Sequence, residues 1–279
     1  MGKMNYKNEE HILEEKQVGE VLYLSYPMLE KTGMVTHCFS TRIGGVSEGI
    51  YGSMNLSYSR GDDEGAVREN YRRMADALGV SEESFVFSAQ THTTNVQKVT
   101  EDNRKDKFQD VDGLITNVPG VCLVTSYADC VPLYFIDVKN KAIGLSHSGW
   151  RGTVGKIGAV TLRKMSEEYG TDPRDVIAAI GPSICQECYE VSEDVIEQFK
   201  NAFDSSHWSE LFYQKENMKY QLNLWKANEI ILLEAGVKKE NLAVTNVCTC
   251  CNSELLYSHR ASKGQRGGLA AFMALKEVK

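Results

Sequence analysis

The chain has 279 residues, 42% of them hydrophobic and 25% charged, with a formal net charge of −7 and no basic block beyond Arg72-Arg73. That balance describes a globular protein able to bury a core, and it offers no electrostatic grip on nucleic acid. No run of about 18 apolar residues occurs, and the opening stretch MGKMNYKNEEHILEEK lacks the apolar centre of a signal peptide. Tyr6 stands where a myristoylation motif needs Ser or Thr. A cytoplasmic protein with no membrane partner is therefore expected. Eight cysteines are too sparse for a disulfide scaffold and would stay reduced in that compartment.

Residues 1–34 read as a β-rich lead-in, in which Val21-Leu22-Tyr23-Leu24 alternates and Pro27 ends the run. Residues 35–40 form a predicted strand that feeds a glycine-rich loop, residues 41–63. A loop of that length in a compact domain is more often functional than idle. Arg42, at the exit of the strand, suits a bidentate contact to an anion, with a surface ion pair as the plainer alternative. Val67, Tyr71, Met74 and Leu78 recur at helical spacing before Gly79, which predicts an amphipathic helix over 63–79. Strand-like runs at 85–88 and 96–99 are read as a strand pair around Gln90-Thr91-His92-Thr93. Residues 101–110 are polar and charged, as in an exposed loop, and Asp112-Gly113-Leu114-Ile115 opens the next strand.

The most informative stretch spans residues 121–152. It predicts a strand at 121–127, a tight turn carrying Asp129 and Cys130, and a strand pair folded at Lys139-Asn140. The second strand of that pair delivers His147 into Gly149-Trp150-Arg151-Gly152. A helix over 155–169 follows, capped by Gly170, and its N-terminus would suit an anion. Further on come a strand at 176–180, helices at 192–202 and 224–235, a strand at 242–247, and a closing apolar segment with Met273 and Leu275. Mixed hairpins and helices, with no repeat and no linker rich in Pro, Gly or Ser, predict a single domain over 1–279. Its class is α/β with mixed sheets, not a purely parallel doubly wound sheet.

Strand ends hold their side chains rigidly, which suits ligands and nucleophiles. Two chemistries fit His92, Cys130 and His147. One is a metal site with three protein ligands and an open position for water, where a thiolate among imidazoles favours zinc. The other is a Cys130 nucleophile activated by His147, with His92 or Asp129 orienting the base. Against both stands the plain reading of a buried small hydrophobe and two satisfied histidines. Cys38 and Cys122 lie in strand-like runs and belong to the core. Cys185-Gln186-Glu187-Cys188 and Cys248-Thr249-Cys250-Cys251 raise a second, structural zinc site. The later run reads as lacking the two-residue spacer of a zinc knuckle, and adjacent cysteines usually point apart. Buried or free thiols are the expectation there.

Ala128-Asp129-Cys130-Val131-Pro132 and His147-Ser148-Gly149-Trp150-Arg151-Gly152 resemble the signature of the laccase-domain family, the YfiH/YlmD-type proteins. That family is also described as polyphenol oxidase-like, as multifunctional purine nucleoside phosphorylases and as peptidoglycan-editing factors. Phe39-Ser40-Thr41-Arg42, Asn55-Leu56, Gln90-Thr91-His92, Asp112-Gly113, Ile180-Gly181-Pro182 and Ser258-His259-Arg260 extend the match over nearly all the chain beyond the first ~30 residues. The resemblance implies a four-layer α/β/β/α sandwich and His92, Cys130 and His147 as metal ligands, with zinc as the metal and copper the second candidate. Two departures stand out. Ala261 follows Arg260 where members often carry a second basic residue, and Arg266-Gly267-Gly268 replaces a Thr-Gly-Arg run. Arg266 is thus a candidate to replace a family arginine.

Counting removes several alternatives. A blue multicopper oxidase needs paired His-x-His runs, and the six histidines here include none. The zinc nucleobase deaminase signature, the Rossmann fingerprint and the P-loop are also missing. The reading implied by the family is a zinc-dependent purine nucleoside phosphorylase taking adenosine, inosine or methylthioadenosine with phosphate, with adenosine deamination as a second activity. Asp129 or Gln90 would orient a metal ligand or the substrate. Arg42 and Arg260 would hold phosphate, His259 would serve as an acid or base, and Asn55 and Arg151 would contact substrate. The runner-up is a Cys130/His147 hydrolase or amidase acting on peptidoglycan precursors. The third reading is a non-enzymatic metal-binding partner protein.

Overall fold

Period-two alternation decides this architecture. In the computed structural model, which describes residues 2–276, two large sheets face each other and helices cover their outer faces. The first sheet has the order Glu14–Val18, Val21–Ser25, Val35–Ser40, Leu269–Leu275, Cys122–Tyr127, Phe85–Ala89 and Phe108–Gln109. The second runs Leu242–Val244, Val176–Ile180, Val131–Asp137, Ala142–Ser148, Gly113–Thr116 and Val96–Lys98. Both mix parallel and antiparallel pairs. A small third sheet joins Glu190–Val191, Tyr220–Leu222 and Phe212–Gln214.

Phe39, Leu123 and Met273 point between the two large sheets, against Tyr134, Ile136, Ile143 and Leu145. Their sequence neighbours Cys38, Cys122 and Phe272 point the opposite way. They are covered there by Val67, Tyr71 and Met74 of the helix Glu64–Leu78. That helix begins at Asp63, whose side chain accepts from the Ala66 N–H, and stops at Gly79 in the left-handed conformation. On the far face of the second sheet, Leu133, Phe135 and Ile180 pack beneath Ile157, Leu162 and Met165 of the helix Ile157–Tyr169 and Ile231 of the helix Leu224–Glu234. Cys38 and Cys122 are core residues, as expected. No helix among the described residues is long and apolar enough to cross a membrane.

Four local differences from the sequence reading matter. The runs flanking His92 do not pair with each other: Phe85–Ala89 belongs to the first sheet and Val96–Lys98 to the second. Residues 90–95 therefore cross between the sheets and carry His92 at their seam. The polar run 101–110 is not all loop, because Phe108 and Gln109 pair in parallel with Ser88 and Ala89. The helix expected over 155–169 begins two residues later, at Ile157, and a separate short helix, Trp150–Val154, precedes it. The break comes where Lys156 turns left-handed at φ 57°, just after Gly155, whose missing Cβ would lie 2.5 Å from Thr94 Cγ2. The closing apolar segment is a strand at the middle of the first sheet, between Val35–Ser40 and Cys122–Tyr127.

Residues 41–63 are not loose either. The buried amide of Asn70 accepts from the Val46 N–H at 2.8 Å and donates to Ser47 Oγ, to the Ser53 carbonyl and to the Asn55 carbonyl. Asn70→Ala orphans several of these groups at once, and each buried orphan costs about 1–3 kcal/mol. A loss of about 2–4 kcal/mol in chemical denaturation is expected, with faster amide exchange at residues 43–56 than elsewhere.

Candidate metal centre

Three separate segments meet at the seam between the sheets. Cys130 sits in the turn between Cys122–Tyr127 and Val131–Asp137, His147 near the end of Ala142–Ser148, and His92 on the crossover. Their ligand atoms all lie within 4.8 Å of one another, with Cys130 Sγ 3.9 Å from His92 Nε2. The two imidazoles meet edge to face, ring centres 4.9 Å apart. A tetrahedral zinc site with bonds of about 2.0–2.3 Å needs donors roughly 3.3–3.8 Å apart, so this set fits the ion with only a small contraction. Gly149 makes the approach feasible, since a Cβ there would lie 2.7 Å from His92 Cδ2 and 3.2 Å from Cys130 Sγ.

One carboxylate holds both histidines. Asp112 is fully buried; its Oδ1 accepts from His147 Nδ1 at 2.8 Å and from the His92 N–H at 3.1 Å. Its Oδ2 accepts from the backbone N–H groups of Thr91 and Thr93 and from Thr93 Oγ1. Burial alone would raise this carboxyl, but those donors, led by His147, bring it down to about 2. Two consequences follow. His92 is pinned at φ 65°, a backbone state unusual for a side chain of its size. His147 keeps its proton on Nδ1, so Nε2 is the nitrogen left to bind a metal, the carboxylate–histidine–metal arrangement. Burial works against ionising Cys130, yet the charge and hydrogen bonds of His147 and His92 bring the thiol below its ordinary range. Burial likewise opposes charge on His147, yet Cys130 and Asp112 raise it.

His92, Cys130 and His147 line a cavity of about 400 Å³ whose wall also includes Ser57, Arg60, Gln90 and Arg266. Arg266 is only 9% exposed, and Arg60 faces the same space. Burial and the nearby Arg60 cation together bring the Arg266 guanidinium down to about 10. Arg266 Nη1 donates to the Gly267 carbonyl, whereas the buried Nε has no partner among the described residues. A groove of about 660 Å³ opens alongside and shares Ser57, Ser59, Ser88, Ala89 and Ser126 with the cavity. Its aromatic lining includes Tyr58, Tyr71, Phe87 and Phe108. Tyr58 stacks on Tyr71, and both Tyr58 and Phe87 are exposed.

Of the other expected site residues only Gln90 lines the cavity. Asp129 does not orient a metal ligand: Oδ1 accepts from Thr249 Oγ1 and Oδ2 from the Arg260 N–H. Gln90 lines the cavity, but its amide is engaged on both the N–H and the carbonyl of Ser126. Arg42 donates to the carbonyls of Gly52 and Ser253 and lies over Tyr257, so it fastens its loop and does not face the ligands. Asn55 is buried and shapes the wall from behind, accepting from the Ser57 and Gly268 N–H groups. Arg260 donates to the carbonyls of Cys188 and Glu190, Arg151 stacks over Trp150, and His259 is exposed. None of these three lines the cavity. The helix N-terminus proposed for an anion is also displaced, because the long helix begins at Ile157 and the helix at the site has only five residues. Asp112 is the carboxylate that contacts the histidines, and Arg60 and Arg266 are the cations that face the cavity. Asp112 beside a glycine at the start of a strand was the available signal, whereas Arg60 left none.

A family model described as multi-copper polyphenol oxidoreductase laccase matches residues 36–276. The chain belongs to that family. It is 35% identical over 247 residues to purine nucleoside phosphorylase YlmD of Bacillus subtilis, covering 86% of this chain and 88% of that protein. It is 33% identical over 230 residues to adenosine deaminase RL5 from an unknown prokaryotic organism, covering 80% and 87%. The crystal structure of Bacillus licheniformis hypothetical protein YfiH superposes with a TM-score of 0.87 at 31% identity, over 94% of this chain and 99% of that one. The shared fold is mixed α/β. The "multi-copper" of the family description has no counterpart in a histidine cluster here: His92, Cys130 and His147 form the one group of potential ligands that contains histidine among the described residues.

Proposed function

We propose that this protein is a metal-dependent enzyme that cleaves purine nucleosides with phosphate, with zinc as its metal and copper as the alternative. The observation that carries this reading is the convergence of three elements on one space. These are a two-histidine, one-cysteine ligand set, a pair of arginines, one with an unpartnered buried Nε, and an aromatic groove. Relatives named purine nucleoside phosphorylase and adenosine deaminase support the same substrate class. Eight free cysteines suit a reducing, cytoplasmic setting.

His92, Cys130 and His147 would hold the metal, which when bound supplies Lewis-acid polarisation and can acidify a water. The chain's own residues account for the rest. Arg266 and Arg60 hold phosphate, the fork of Arg266 matching two of its oxygens. Tyr58 and Phe87 offer ring faces on which a purine stacks, with ribose between base and phosphate. Asp112 keeps the His147 proton at Nδ1 and the imidazole in place. A phosphate oxygen then bonds to the anomeric carbon as the C–N bond breaks, and the base leaves with the bonding pair and takes up a proton. Deamination of adenosine at the same site would exchange the 6-amino group for a water-derived oxygen and release ammonia, with the bound metal supplying the acidified water.

The test is chromatography of adenosine, inosine and methylthioadenosine incubated with the metal-loaded protein, with and without phosphate. Free base and ribose 1-phosphate, or 5-methylthioribose 1-phosphate from methylthioadenosine, should accumulate only with phosphate and stop on chelation. Absence of both free base and deaminated product would overturn the assignment. A second reading, a cysteine hydrolase, is favoured by one observation: Cys130, His147 and Asp112 line up as nucleophile, base and orienting carboxylate. Alkylating Cys130 after metal removal separates the two. A nucleophile stays active when metal-free until it is alkylated, whereas a ligand loses activity to the chelator alone.

A further inference from the structure

We propose that Cys185, Cys188, Cys248 and Cys251 bind a second metal ion, a zinc-class cation held by four thiolates in a closed structural site. The sequence carries two Cys-x-x-Cys pairs, Cys185/Cys188 and Cys248/Cys251. The second pair has the two-residue spacer of a knuckle once Cys250, whose sulfur lies outside the group, is skipped. Reading that run by its adjacent cysteines hides the spacing, and the fold brings the two pairs together.

The geometry is that of a tetrahedral cage. All four sulfurs lie within 4.8 Å of one another, with Cys188 and Cys251 at 3.5 Å and Cys185 and Cys251 at 4.0 Å. Four sulfurs at about 2.3 Å from a zinc ion sit roughly 3.8 Å apart. A disulfide would need about 2.05 Å. The N–H groups of Cys185 and Cys251 point at Cys248 Sγ, at 3.2 and 3.4 Å. Donors of this kind favour the thiolate, and a donor three residues beyond its acceptor sulfur closes the turn of a knuckle. Four thiolates around a divalent ion leave two negative charges. Lys7 lies beside Cys185 and Cys251, also bonded to Glu187, and offsets part of that charge. With four protein ligands no position stays open for substrate, so the role is structural.

The cage ties together segments that meet nowhere else in sequence. Residues 5–7 run alongside it, through Asn5 on Asn252, the Tyr6–Val247 bridge and the Lys7 N–H on the Asn246 carbonyl. Thr249, between the second pair of cysteines, donates to Asp129, which directly precedes Cys130. The guanidinium of Arg260, whose N–H also reaches Asp129, grips the Cys188 carbonyl. A filled cage would therefore hold the turn that presents Cys130, at a distance from the reacting groups.

Metal analysis of the full-length protein decides the matter and does not depend on nucleoside turnover. Wild type should carry two ions per chain, and His92→Ala/His147→Ala should keep one. Cobalt substituted into that double variant should give the intense visible bands of a tetrahedral tetrathiolate. In wild type, mass-spectrometric mapping should find the four thiols protected from alkylation until a chelator is added. Loss of all metal from the histidine variant would overturn the proposal. So would immediate alkylation of the four thiols, or recovery of Cys188 and Cys251 as a disulfide with no ion bound. The wild-type stoichiometry and thiol mapping stand even if a variant fails to fold.

Discussion

Asp112→Asn is expected to weaken metal retention by roughly 10–100-fold, the usual consequence of removing a hydrogen-bond partner from a metal-binding histidine. The substitution preserves shape but not polarity. Oδ1 and Oδ2 between them receive five donors, and whichever way an asparagine amide lies, its NH2 faces at least two of them. Buried donors left unpaired cost about 1–3 kcal/mol each, so a stability loss of about 2–5 kcal/mol accompanies the lost affinity. For a protein of this size that lowers Tm by roughly 5–15 °C. Asp129→Asn provides the contrast. Its contacts go to Thr249 and Arg260, so stability falls while the affinity of the histidine–cysteine centre is largely kept. Titration of apo protein with zinc, alongside thermal melts, checks both. Wild-type affinity in Asp112→Asn would remove that carboxylate from its role.

Arg266→Ala should lower kcat/KM for phosphate by roughly 10–100-fold at saturating nucleoside, the equivalent of losing a charge-assisted hydrogen bond. Metal content should not change, since Arg266 lines the cavity without touching the ligands' own hydrogen bonds. Arg42→Ala should behave in the opposite way. Its guanidinium is occupied by the Gly52 and Ser253 carbonyls, so its removal should lower Tm and leave the phosphate dependence near that of wild type. Arg266→Lys retains the charge but not the fork, and intermediate activity is expected. Phosphate titrations of the three variants under one set of conditions check the assignment. Equal phosphate dependence in Arg266→Ala and wild type would place the anion elsewhere.

Much of the local structure was legible because short-range physics controls it. Helical spacing from Val67 to Leu78, capped by Asp63 and Gly79, specified the helix Glu64–Leu78 with no tertiary information. Apolar β-branched runs bounded by turn residues likewise specified Val131–Asp137 and Ala142–Ser148. Two features were not legible for the same reason, that their causes are remote in sequence. The runs flanking His92 look like a hairpin, and only sheet pairing sends them to opposite layers. The short helix Trp150–Val154 and the start of the next at Ile157 are likewise not marked in sequence, and only the closeness of Thr94 accounts for a glycine at 155.

The residue types of the centre are legible in the sequence, which leaves a metal site and a cysteine nucleophile as the two chemistries they support. Which groups serve them was decided by tertiary structure. An arginine in a loop looks the same on paper whether its fork meets solvent, substrate or a carbonyl. The packing of residues 41–63 spends Arg42 on its own loop and turns Arg60 and Arg266 towards the cavity. A carboxylate is equally mute until burial and its donors are known. Asp112 is enclosed by the backbone of residues 91–93 and by His147, whereas Asp129, one residue from a ligand, is drawn away by Thr249 and Arg260. Side-chain identity sets what a group can do, and the direction it faces, with what it displaces from water, sets what it does.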